Sequence, residues 1–145
     1  MNIKSFYTDT QLDIQLSDPD GDNETLYGSG VDMAGYDGVV FIATARRGEA
    51  ADIVLKVQQD TASNFGSAAD LVGSSVTFAI ATATDGFAFI EIKNPQERYV
   101  RPALVIPNLG TARAVSIVAI RYGAKYLPET NSDGELHVAP AQGTA

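Results

Sequence analysis

The octet G-V-V-F-I-A-T-A, residues 38–45, decides the fold. Its β-branched and aromatic side chains favour an extended strand. On a strand, Val39 and Phe41 leave one side while Val40 and Ile42 leave the other, so both sides are apolar. Residues 103–106 and 114–120 read the same way, with Val115 and Ile117 opposing Ser116 and Val118. Two explanations stay open. Such strands are central ones covered by the chain's own loops and arms, or an outer sheet face is buried against another subunit.

Outward from this octet, short strand-like segments recur about every ten residues, separated by turn residues. Leu12, Ile14 and Leu16 alternate with Asp13 and Gln15, the pattern of a half-buried strand. S-D-P-D-G-D-N-E (17–24) reads as a loop because of Pro19 and Gly21. Segments 52–59, 75–82, 87–93, 98–106 and 112–122 complete the set. Thr84-Asp85-Gly86 predicts a hairpin joining 75–82 to 87–93, and S-A-A-D-L-V (67–72) before Gly73 predicts a short helical turn. The sum is an all-β fold: an antiparallel β-sandwich of about eight strands, jelly-roll-like. One globular domain is expected. It comprises an acidic N-terminal segment, 1–37, packing on or extending from a core at 38–127, and a flexible C-terminal tail at 128–145.

The net charge of −8 is uneven. Residues 1–37 hold eight acids against one lysine, and residues 127–145 hold three acids and no base. An acidic surface repels phosphate backbones, so no nucleic-acid partner is expected. The opening lacks the apolar run of a secretory leader, and no stretch approaches a membrane span; a soluble chain with no membrane partner is expected.

Catalytic patterns are sparse. There is no cysteine, and the one histidine, His137, falls in the expected tail. A Ser-His-Asp centre needs a rigidly held base, and zinc needs ligands this composition does not supply. G-S-G-V-D-M-A-G (28–35) lacks the lysine of a phosphate loop. Asp18, Asp20 and Asp22 begin like a calcium loop, but Gly21 is misplaced and Ser29 stands where the closing glutamate belongs, so an acidic turn is expected. A non-enzyme without cofactor or metal is therefore expected.

V-D-M-A-G-Y-D-G-V-V-F (31–41), A-A-D-L-V-G (68–73), R-Y-V-R-P (98–102) and Y-G-A-K (122–125) together resemble the small head decoration, or cement, proteins of tailed bacteriophages. The resemblance spans roughly residues 31–126. It implies a protein added to the outer surface of an assembled capsid, often as a homotrimer, that bridges subunits of the major capsid protein. It also implies a virion location, after synthesis in the host cytoplasm. Another phage structural module, such as a head fibre or tail-associated protein, is the alternative reading, followed by a ligand-binding or catalytic β-sandwich.

Within R-Y-V-R-P, alternation sends Tyr99 and Arg101 to one side, and Arg98 and Val100 to the other. Pro102 cannot donate to a ladder and marks an edge, a strand start or a bulge. Arg98, Tyr99 and Arg101 are thus candidates for a subunit or capsid contact, against the plainer reading of intrachain pairs on an edge strand. Asp18, Asp20, Asp22 and Glu24 are candidates for electrostatic docking on a basic capsid patch.

Overall fold

The computed structural model describes residues 5–21, 23–46, 50–81, 84–107, 113–126 and Gly134. Asp22, the side chain of Asp20, and the expected tail with His137, apart from Gly134, lie outside the described residues. Among the described residues, a one-turn helix, α1 (Phe6–Asp9), precedes nine strands. These are β1 (Thr10–Gly21), β2 (Glu24–Tyr27), β3 (Val31–Asp32), β4 (Gly38–Ala45), β5 (Ala51–Asp60), β6 (Ala69–Ile80), β7 (Gly86–Lys93), β8 (Tyr99–Ile106) and β9 (Arg113–Tyr122).

The first sheet has the order β1-β9-β4-β7; the second runs β2-β8-β5-β6, with β3 also on β8. All pairings are antiparallel. Because β2 and β3 share one partner, they are two pieces of a single strand, which leaves eight positions. The pairs are nested: β5 with β6, β4 with β7, β2 and β3 with β8, and β1 with β9. This is a long hairpin wrapped so that successive pairs alternate between sheets, the jelly roll that the strand count suggested.

The core follows strand alternation. Val39, Phe41 and Ala43 of β4, Ile53, Leu55 and Val57 of β5, Val100 and Leu104 of β8, and Ile117 and Ala119 of β9 are fully buried between the sheets.

Four local expectations change. Residues 17–24 are not one loop: β1 continues through an irregular register to Gly21, and β2 begins at Glu24. The 75–82 and 87–93 segments are not a hairpin, since β6 pairs with β5 and β7 with β4. The turn residues were legible, but the turn carries the chain from one sheet to the other, and among the described residues an isolated Ala81–Thr84 bridge links its sides. Residues 67–72 form no helix. Ala69 and Asp70 join β6, and Leu71–Ser74 bulge out opposite the single residue Val57. The Ser74 hydroxyl ties the bulge to the carbonyls of Val57 and Leu71, and Gly73 takes a positive φ of 79° there.

Finally, β8 is an interior strand, not an edge. Pro102 lies opposite the gap between β2 and β3, where Gly28 donates to its carbonyl. The donor Pro102 lacks would point into that same gap. A Cβ on Gly28 would sit 2.6 Å from the proline ring, so the interrupted strand and the proline fit together.

Candidate functional site

The two sheets turn unlike faces outward. On the second sheet, Arg101 lies with its guanidinium 4.3 Å from the Tyr27 ring and 4.7 Å from the Phe65 ring. It donates to Gln58 Oε1 (2.9 Å), Gln58 donates to Asp70 (2.7 Å), and Lys56 pairs with Asp70 (2.9 Å). Phe65 reaches over this face on the turn after β5. That turn is held by the Asp60 carboxylate, which accepts from the backbone N–H groups of Ala62 and Ser67. Those bonds hold Asp60 below the usual carboxylate range. Gly30, at a φ of 83°, leaves room for the Phe65 ring.

Arg98 makes a bidentate pair with Asp32 at 2.9 and 2.6 Å, and lies 5.2 Å from the Tyr99 ring. This hydrogen bonding lowers the Asp32 pKa and raises that of Arg98. Arg121 pairs with Asp13 (3.0 Å), donates to the Asp32 carbonyl (3.0 Å) and stacks on Tyr36 (4.5 Å). Both arginines of R-Y-V-R-P thus have partners within the chain, and Tyr99 and Arg101 share the outer side as alternation required.

The first sheet is different. Across it, Ile14, Val118, Ile42 and Phe89 form one register row. Leu12, Ile120, Val40 and Glu91 form the next, and Ser17, Ser116, Thr44 and Phe87 a third. Ile14 is 76%, Phe87 68% and Phe89 59% exposed. At one border the Tyr122 ring lies over Gly38 and its hydroxyl bonds to Glu91. Burial, then the Glu91 carboxylate, push the Tyr122 pKa well up.

Strand β1 is turned the opposite way from its simplest reading. Its apolar Leu12 and Ile14 face outward, while Asp13 and Gln15 face the fold. The reason is chemical: Asp13 supplies Arg121 with a carboxylate, and Gln15 Oε1 accepts from Gly30 N–H at 2.7 Å. Those bonds anchor β1 and commit Leu12 and Ile14 to the outside, while the register shift between Ile14 and Leu16 turns Leu16 onto the core.

Beyond the third row, the face opens into a groove of about 890 Å³ lined by Ser17, Asp18, Thr44, Arg46, Phe87 and Ser116. There Thr44 and Ser116 share a hydroxyl hydrogen bond of 2.8 Å. Asp18 is half-buried in β1, whereas Glu24 is exposed at the start of β2. Among the described residues, no three His, Cys, Asp or Glu side chains gather as a metal site.

Sequence reasoning passed over Ile14, Phe87 and Phe89. In F-A-F-I-E-I-K (87–93) the signal was present, since Phe87 and Phe89 alternate with Ala88 and Ile90 and both sides are apolar.

No family model matches the chain, and no curated protein does. Among solved structures, the PBSX exported protein XepA, a phage PBSX product, matches with a TM-score of 0.55 at 18% identity. The match covers 91% of this chain and 44% of XepA, so the chain spans less than half of that protein's length. The two share a fold.

Proposed function

We propose that this chain is a structural protein of a bacteriophage virion: a head decoration protein. In this reading it binds the outer surface of an assembled capsid, as a homotrimer, and ties neighbouring major capsid protein subunits together. The observation that carries it is the outward apolar side of β1, continuous with β9, β4 and β7. A one-residue slip would turn that side inward, yet Asp13 and Gln15 hold it out. Exposed apolar area of this extent marks a contact surface. The fold shared with a phage product and the motif resemblance support the viral setting. The reading assigns the chain contact surfaces rather than a reaction centre, with no cofactor, nucleic acid or membrane partner. The acidic residues Asp18, Asp20, Asp22 and Glu24 would steer its approach to a basic capsid patch, an effect that salt screens.

The test is to add purified protein to virus heads stripped of it, then sediment and image them. Saturable binding at fixed copy number, with new density on the outer shell, is the expected result. Binding only to tails or fibres would replace decoration with another virion role, and no binding to any particle would remove the reading.

A further inference from the structure

We infer that the outer face of the first sheet is where a second copy of this chain packs, apolar face against apolar face. Identical faces packed on each other make a two-fold contact. This contact therefore pairs copies and is distinct from those that would close the trimer of the reading above. The inference rests on that reading only for the expectation that several copies work together.

Three features favour a second copy over another occupant. The first is composition. The row Ile14–Val118–Ile42–Phe89 and its neighbours Val40, Ile120 and Phe87 carry no formal charge, and Glu91 at the border is engaged by Tyr122. A chain of net charge −8 repels its own copies over most of its surface. This face is where two of them can meet without opposing like charges. A strongly basic or acidic partner would find charges only at the margin, at Glu91 and Lys93.

The second is size. Four strands about 4.8 Å apart, and three residues along each at about 3.3 Å, give the two apolar rows an area of roughly 250 Å² once side-chain reach and the Phe87 ring are added. The smallest standard interfaces bury about 600 Å² per partner. The apolar centre therefore fills about two-fifths of that share, and the polar margin has to supply the rest. Ser17, Thr44, Ser116 and Lys93 stand around it as a polar rim.

The third is shape. An open sheet face is matched by another sheet at the spacing of about 10 Å at which the two sheets of a sandwich pack. A second copy supplies such a face by symmetry.

The experiment is sedimentation equilibrium on the purified full chain, beside Ile14→Asp, Phe89→Asp and, as a control on the second sheet's exposed outer side, Thr77→Asp. The expected result is an oligomer for the unaltered chain and for Thr77→Asp. The two face variants should weaken association at least about 100-fold, as burial of an unpaired charge at an interface centre requires, with unchanged circular dichroism.

Should a variant fail to fold, hydroxyl-radical footprinting of the unaltered chain decides. Phe87 and Phe89 should be protected in the oligomer and become reactive on dilution. An unaltered chain that is monomeric at all concentrations overturns the inference, as does an oligomer indifferent to both face variants. Protection of Phe87 and Phe89 in a monomer, lost on deleting residues 127–145, would give the face to the chain's own tail and overturn it equally. A monomer that binds heads through Phe89 sinks this inference and leaves decoration standing. An oligomer built on this face that ignores heads does the reverse.

Discussion

On the second sheet, Arg101 lies between two rings of its own chain, and its hydrogen bond continues through Gln58 to Asp70 and Lys56. On the first, Ile14, Phe87 and Phe89 stand in water. Both faces are built on the same alternation, over the same core. One pairs its polar groups within the chain and draws Phe65 over itself. On the other, β1 keeps Asp13 and Gln15 inside and leaves Leu12 and Ile14 outside. Inside and outside are therefore assigned strand by strand, by where hydrogen-bond partners wait, and apolar character alone does not decide it.

Changes with graded effects can break or sharpen that contrast. The largest should come from beneath the first sheet. Phe41→Ala empties a fully buried site and should cost about 3–5 kcal/mol in urea unfolding. Next is the second sheet's outer side. Arg101→Ala removes both stacking contacts and the bond to Gln58 and should cost about 1–2 kcal/mol, with faster proteolysis near Phe65. If it costs nothing, that face is no more self-sufficient than the first.

The pH response should divide the same way. Asp32 is held low chiefly by its hydrogen bond from Arg98, Asp60 by the N–H groups of Ala62 and Ser67, and Asp70 by Lys56 and then Gln58. Their folded pKa values are depressed, so the stabilisation is present above the ordinary value of about 3.9. It is lost as pH falls through the folded values. Asp70→Asn should make the acid limb of thermal melts shallower. Tyr122 on the first sheet works in reverse, because its folded pKa is raised. Its contribution is full below about pH 10 and is lost as pH rises beyond that. Tyr122→Phe should remove that alkaline limb.

The smallest effect should be Phe89→Ser, measured in the monomer. Its ring is mostly in water, so stability should change by under about 0.5 kcal/mol. A core-sized loss would mean that Phe89 packs within the chain and would erase the contrast.

Strand positions were legible because β-branched and aromatic residues alternate between turn residues, while the doubly apolar runs at 39–45, 103–106 and 114–120 left open whether the chain or another subunit covers them. What alternation cannot show is which side of a strand meets the core. Leu12 and Ile14 share a side in sequence and in space, but only Arg121 and the Gly30 N–H, far along the chain, determine that it faces outward. Sheet membership was hidden for a similar reason: Thr84-Asp85-Gly86 makes a turn wherever it is placed, while the partners of β6 and β7 are chosen by β5 and β4. The setting of Arg101 depends on Tyr27 and Phe65, which no local pattern links to it.

The nested pairing also sets a timetable for the newborn chain. β1 is made first and pairs with β9, which is made last. At roughly 5–20 residues per second of synthesis, β1 waits about 5–20 s for the ~90 residues in between. Until β9 inserts between β1 and β4, Ile14 and Phe89 belong to no common surface. A growing chain that has not yet made β9 therefore lacks the apolar row, and the making of β9 is the step that brings the row into being. Such long-range closure also folds slowly, which delays exposure of a sticky surface until the core beneath it is sealed.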